Sequence, residues 1–289
     1  MVSKLVILIV GAFCCSTSVI FIKLSTEHPI LLAAYRLLIA SAALTPPFLR
    51  DLKRQGESYH FRKIRSSILP GVVLGLHFIA WNMGARMTLA ANSTLIVNMV
   101  PVVMPFLLFA LSGEGPNRRE ILGTVVAMSG VALLGSVDVH ISRTTFLGDL
   151  VCFLSMVLFA LYLALARKNR SGSNLWLYVV PLYYVAGIFC LIVGVFFQNP
   201  LKPYTMEDLL YIAGLGIVPT VVGHTILNYS MRKLRGQLVS IAILSQFIFA
   251  GIMGYVFLRE IPHPVFYISS ALLAGGGIVA VLPKKAGGT

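Results

Sequence analysis

Apolar residues in this chain come in long, nearly unbroken runs, without the spacing of a one-sided helix or the alternation of a strand. Ten runs can be marked, near residues 5–22, 30–49, 68–85, 91–111, 121–137, 150–166, 175–197, 209–230, 238–258 and 264–282. A helix needs about 20 apolar residues to cross ~30 Å of hydrocarbon, and each run has roughly that length. Helices that are apolar all round are solvated by other helices or by lipid. The pattern therefore predicts an all-α polytopic membrane protein with ten transmembrane helices joined by short polar connections.

Polar residues inside the runs are the exceptions that carry information. Between His77 and Glu114 the chain holds His77, Trp81 and Asn82, an Ala-Asn-Ser break at 91–93, the stretch NMVPVVMPF at 98–106 and a Gly113-Glu114 stop. An unpaired polar group in hydrocarbon costs several kcal/mol, so such a stretch persists only where it faces protein or a water-filled cavity. It is expected to line something. An offset of 146 residues carries Asn82 onto Asn228, Glu114 onto Glu260 and Gly130 onto Gly276, and lays one apolar run on another without a gap. This predicts two repeats, residues 1–140 and 141–289. Each holds five spans, and an odd number forces the second copy to enter the membrane from the opposite side. The expected architecture is two inverted five-helix repeats around a central cavity, the arrangement that permits alternating access.

Composition agrees with lipid as the solvent: 57% of residues are hydrophobic and 11% charged, and mean hydropathy is +0.88. A formal charge of +13 would point to nucleic acid in a soluble protein, but here the basic residues fall in the connections, where their sidedness is what matters. With the N-terminus inside, seventeen of the 23 Lys and Arg residues lie in inner segments, five in outer segments, and Arg36 within a span. That bias follows the positive-inside rule and predicts cytoplasmic termini. The connection from Arg50 to Arg65 is the longest and most basic, and suits an inner surface near anionic lipid. Cys14, Cys15, Cys152 and Cys190 lie in apolar runs with no CxxC spacing, so they are expected as small core residues. The first run lacks a small-residue cleavage pattern and is expected as a retained helix.

Candidate site residues follow from polarity within spans. His77 and Trp81, at i and i+4, share a helix face, with Asn82 beside them. Asn98 precedes Pro101 and Pro105; each proline removes a donor and frees a carbonyl one turn back, predicting a kinked helix with exposed acceptors. In the second half Tyr162, Tyr184, His224, Asn228, Tyr229 and Gln246 form the matching set, with Pro181, Tyr183, Pro219, Ser240 and Ser245 nearby. Arg36 and Ser16 are further candidates, Arg36 balanced between a helix-end anchor and a substrate contact, Ser16 between close helix packing and a ligand hydroxyl. Gly123, Gly130 and Gly135 in the fifth span, and 275–277 in the tenth, mark support helices that pack within the chain or against a second copy.

The order Pro29…Arg36, Leu89-Ala90-Ala91, Pro101, Gly113-Glu114, Gly123, Gly130, then Gly148-Asp149, Pro219-Thr220, Glu260 and Gly276, resembles the EamA family of the drug/metabolite transporter superfamily over nearly the whole length. The resemblance implies a ten-helix bundle in which spans one to four and six to nine surround the cavity while five and ten stand outside. It also implies export or facilitated passage of small metabolites such as amino acids, nucleoside-like compounds or drugs. Many family members carry Glu-Pro in span nine, whereas this chain has Gln246-Phe247. All ten acidic residues fall in connections or at span ends, which favours a facilitator or exchanger over a carboxylate-driven antiporter. No catalytic constellation, metal set or cofactor is expected. The expected partners are a small-molecule substrate and the lipid bilayer, with no nucleic acid, and the setting is a bacterial inner (plasma) membrane; oligomeric state is open. Two alternatives remain at this level: a non-transporting sensor or assembly protein, and an intramembrane enzyme acting on a lipid-linked substrate.

Overall fold

A computed structural model describes residues 2–55, 65–113, 115–169, 175–233, 239 and 243–281, and among these every regular element is helical. In chain order they are α1 (Val2–Ser16), α2 (Ser18–Leu24), α3 (Pro29–Gln55), α4 (Ile68–Met87), α5 (Ala90–Val97), α6 (Val100–Ser112) and α7 (Arg118–Ile141). Then come α8 (Arg143–Asn169), α9 (Leu175–Gly194), α10 (Met206–Leu215), a π-helix (Gly216–Gly223), α11 (His224–Lys233), α12 (Gln246–Leu258) and α13 (Val265–Val281). Eight stretches of the described chain are long and apolar enough to cross a membrane, and α12 and α13 are shorter apolar helices. Most of the Arg50–Arg65 connection, Glu114 and Ser240 lie outside the described residues.

Three predicted spans are interrupted. The first breaks at Thr17, where Ser16 Oγ donates to Phe13 O at 2.6 Å and Thr17 Oγ1 to Cys14 O at 2.7 Å. Hydroxyls that bond back onto their own helix compete with its ladder and bend it. The fourth breaks at Asn98–Met99, between α5 and α6. Pro101 lacks the N–H that would reach back across that turn, so the helix restarts with proline in its first turn; the expected kink is a full interruption. The eighth widens into the π-helix around Pro219, where Thr220 Oγ1 donates to Leu215 O, five residues back, at 2.9 Å. α6 ends at Gly113 with φ 72°, and α12 ends at Arg259 with φ 57°. These left-handed stops are 146 residues apart, glycine in one half and arginine in the other.

α7 and α13 run antiparallel in close contact. A Cβ on Gly276 would fall 2.5 Å from Gly123 O, and one on Gly130 would fall 2.9 Å from Ser269 O. Glycine at 123 and 276 is what lets the two backbones approach this closely. Gly277 meets Leu244, so this side of the glycine run packs within the chain. The outer faces of α7, α12 and α13 expose Leu122, Val125, Ile252, Phe257 and Ile268, an apolar exterior suited to lipid. The core runs through α3, α4, α5, α8 and α9, where Leu32, Leu37, Leu74, Ile96, Met156 and Leu182 are fully buried.

Candidate functional site

The interrupted helices and their neighbours enclose a cavity of about 470 Å³. Its wall takes Ser18 from α2; His77, Phe78 and Trp81 from α4; Thr94 from α5; Asn98 from the α5–α6 break; and Pro101 and Pro105 from α6. From the second half come Phe159 and Tyr162 of α8, Tyr183 of α9, His224 of α11 and Gln246 of α12. Seen from the residues upward, the wall is an aromatic box with a few amides and hydroxyls.

His77 is the most firmly held of these. Its Nδ1 lies 2.9 Å from both Ser155 O and Ser155 Oγ, and Ser155 Oγ in turn donates to His77 O at 3.0 Å. The ring stacks on Phe159 at 4.6 Å and lies nearly parallel to Trp81 at 6.3 Å. Tying down Nδ1 fixes the ring and leaves Nε2 as the nitrogen free to meet a ligand. Phe159 continues the stack to Tyr162 at 6.0 Å. Across the cavity Asn98 Nδ2 donates to Gln246 Oε1 at 3.5 Å, a long contact that joins the two halves.

Arg36 sits behind this wall, fully buried in α3. Its guanidinium lies over the Phe78 ring at 4.2 Å and the Trp81 ring at 5.6 Å. Nε and Nη2 both donate to Thr220 Oγ1, at 3.2 and 3.0 Å. The π-helix turns Thr220 toward it, in keeping with the frequency of such bulges at functional sites. Nη1 has no hydrogen-bond partner, and no carboxylate among the described residues forms an ion pair with this arginine.

Lys23, Arg86 and Lys202, by contrast, all have partners. Lys23 Nζ lies 2.7 Å from Glu260 Oε1 and donates to Thr88 O at 2.6 Å. Glu260 Oε2 accepts from the Ala90 N–H at 2.7 Å, and Arg86 donates to Ile22 O and Ser25 O. Nearby, Thr88 Oγ1 donates to Asp149 Oδ1 at 2.6 Å, and Lys202 lies 3.1 Å from the buried Glu27. Burial first, then hydrogen bonding with Tyr35 and Glu27, raises the Tyr204 phenol above its ordinary value, so it stays protonated in this cluster. These bonds tie the ends of α2, α4, α5 and α12 together at one end of the bundle.

Of the residues singled out from sequence, His77, Trp81, Asn98, Tyr162, His224 and Gln246 come together on the wall. Others do not. Asn82 is fully buried, with Nδ2 donating to Pro29 O at 3.0 Å, so it braces α4 against α3. Tyr184 turns away and pairs with Thr45 Oγ1 at 2.9 Å, while its neighbour Tyr183 faces the cavity; one residue is about 100° of helix. Tyr229 is half exposed and off the wall, and the Ser16 hydroxyl is spent on Phe13 O. Asn228 lies in α11, but its side chain is outside the described residues. Sequence reasoning missed Ser18, Phe78, Thr94, Phe159 and Thr220. Two had a usable signal: Phe159 stands three residues before Tyr162 and so on its face, and Thr94 adjoins the 91–93 break. Among the described residues no three His, Cys, Asp or Glu side chains gather as metal ligands.

An apolar exterior, membrane-length helices and an interior box of aromatics and amides define an integral membrane protein with a cavity inside it. The chain belongs to the EamA-like transporter family, whose pattern matches residues 2–136 and again 146–282, and it is a membrane transporter. It is 24% identical, over 94% of each chain, to an uncharacterized transporter of Archaeoglobus fulgidus. A second uncharacterized transporter, from Methanothermobacter thermautotrophicus, is 23% identical over 83% of this chain and 74% of its own. A solved crystal structure shares the fold with a TM-score of 0.65 at 18% identity, covering 96% of each chain. The family points to transport rather than to the intramembrane enzyme.

Proposed function

We propose that the protein is an exporter, or a facilitator/exchanger, of small polar or aromatic metabolites such as amino acids, nucleoside-like compounds or drugs. It works by alternating access between two inverted five-helix halves, residues 1–140 and 141–289. The observation that carries this reading is the cavity itself, walled by both halves and bridged by Asn98 and Gln246. Trp81, Phe159, Tyr162 and Tyr183 offer faces to a planar or apolar body, while His77, Asn98, His224 and Gln246 orient a polar group.

Inversion is supported by α7 and α13, which occupy equivalent places in the two repeats and cross antiparallel. The contact Gly123–Gly276 also has its mirror in Gly130–Ser269 once the 146-residue offset is applied to both partners. In a ten-span arrangement the cavity reaches Leu108, Glu120, Ile243 and Ala280, near the helix ends on the N-terminal side. Lys23, Glu260 and Arg86 close the opposite end. This favours a state open toward the side of the N-terminus, the cytoplasm by the positive-inside rule, in a bacterial inner membrane.

Counterflow in reconstituted vesicles, screened over labelled amino acids and nucleosides, tests the proposal. We expect at least one solute to exchange faster than in protein-free vesicles, and Trp81→Ala to cut that rate by about tenfold or more. Exchange that Trp81→Ala leaves unchanged would remove this cavity from the path.

A further inference from the structure

The unpartnered polar atoms on and directly behind the cavity wall at its closed end lean toward donors, while the unpartnered acceptor Asn82 Oδ1 lies off the wall. Four atoms at that end are buried with no hydrogen-bond partner: Arg36 Nη1, Trp81 Nε1, Ser18 Oγ and Thr94 Oγ1. The first two can only donate, and the hydroxyls can donate or accept. Ser18, Trp81 and Thr94 belong to the wall itself. Arg36 lies one ring behind it, covered by Phe78 and Trp81, and within electrostatic reach of the wall residues Cys15, His77, Tyr183 and His224. An arginine keeps its charge when buried. The aromatic faces and one threonine hydroxyl offset only part of what water would supply, so this cation lacks the anion that its surroundings withhold. Lys23 and Lys202, by contrast, are each paired with a glutamate.

We infer that the transported solute carries a carboxylate, and that Arg36 and Trp81 receive it. The inference rests on the transporter reading of this cavity and narrows its substrate class to organic acids with an aryl or apolar body, amino acids included, and excludes organic cations. The carboxylate passes the edge of the Trp81 ring to reach Nη1. One oxygen accepts from Arg36 and the other from Trp81 Nε1 or the Thr94 hydroxyl, the short charge-assisted geometry a guanidinium favours. The body of the solute lies along Phe159 and Tyr162. The cavity supplies the cation and the solute supplies the counter-charge, which explains a site with no carboxylate of its own at mid-depth.

Isothermal titration of the purified full-length protein with three probes of one shape decides it: 3-phenylpropionate, 3-phenylpropionamide and 3-phenylpropylamine. The carboxylate is expected to bind about tenfold tighter than the amide, and the amine weakest. Arg36→Gln should abolish the carboxylate's advantage while leaving the amide within about twofold; Arg36→Lys should keep part of it, because charge survives and the planar fork does not. Trp81→Phe, which keeps a ring and loses the donor, should weaken the carboxylate selectively. The series on the parent protein needs no variant, so a misfolded Arg36→Gln does not spoil the test. An amide or amine that binds as well as the carboxylate, an advantage that survives Arg36→Gln, or no binding of any probe overturns the assignment. Counterflow of labelled 3-phenylpropionate at alkaline pH separates the two claims. Arg36-dependent binding without carriage leaves the anion site standing and sinks the transport role of the cavity, whereas carriage of the amide or amine alone does the reverse.

Discussion

At the scale of single residues, His77 owes its place to Ser155. The serine hydroxyl bonds the ring nitrogen and the His77 carbonyl at once, so Ser155→Ala removes both bonds without adding a clash and leaves Nδ1 only the Ser155 carbonyl, also at 2.9 Å. We expect a loss of about 0.5–1.5 kcal/mol in stability, the usual net worth of a hydrogen bond where the ring nitrogen keeps another partner, together with weaker solute binding as the ring is held less firmly. Denaturation followed in detergent checks the first part, and an unchanged midpoint would mean that the Ser155 carbonyl and the aromatic neighbours hold the ring without the hydroxyl. Residue type was legible here. The sequence marks His77, Trp81, Asn98 and Gln246 as polar groups in oily spans, but Tyr183 and Tyr184 are adjacent and alike, and nothing local says which faces inward. Packing against α3 decides it, by offering Thr45 to Tyr184.

At the scale of elements, α7 and α13 turn a weak compositional signal into a defined contact. Gly276 has the Gly123 backbone at 2.5 Å from where its Cβ would stand, whereas Gly275 has nothing within 4 Å. Gly276→Val therefore has to push two backbones apart and should cost about 1–3 kcal/mol, while Gly275→Ala, inside the helix with open space, should stabilise by about 0.4–1 kcal/mol. Paired thermal-denaturation curves distinguish them, and equal midpoints would mean the helices are not held this closely. The breaks at Thr17 and Asn98 and the π-helix around Pro219 were only half visible beforehand. Proline announces a disturbance, but whether the chain kinks, stops or widens depends on which neighbour takes the freed carbonyls. Thr17 has no proline at all, and its break comes from two hydroxyls bonding backward.

The whole molecule is asymmetric from end to end: the cavity approaches one end and an ionic cluster binds the other. Lys23 and Glu260 come from the first and last quarters of the chain, and their ion pair, at 2.7 Å, is anchored further by Thr88 O and the Ala90 N–H. Glu260→Gln removes the charge without changing the shape. We expect it to shift the population toward opening at that end. A cysteine placed at Asn98, in a background whose four native cysteines are alanine, should then react several-fold faster with an impermeant maleimide from the side opposite the N-terminus. An unaltered rate would show that the ion pair is not what holds this end shut.

The sequence by itself determined the solvent, the helical class, the approximate spans and the family, because these follow from run length, composition and the order of small and polar residues, all of which are local. It also determined that polar groups would cluster, since lipid leaves them no other refuge. Only the tertiary structure decided which of them meet. Asn82 went to a carbonyl of α3 and Tyr229 off the cavity wall, while Phe159 came in against His77, and Phe78 and Thr220 around Arg36. The reason is geometric: a helix turns about 100° per residue, so a small change in register or a widened turn sends a side chain to a different neighbour, and that register is set by packing between segments far apart in the chain.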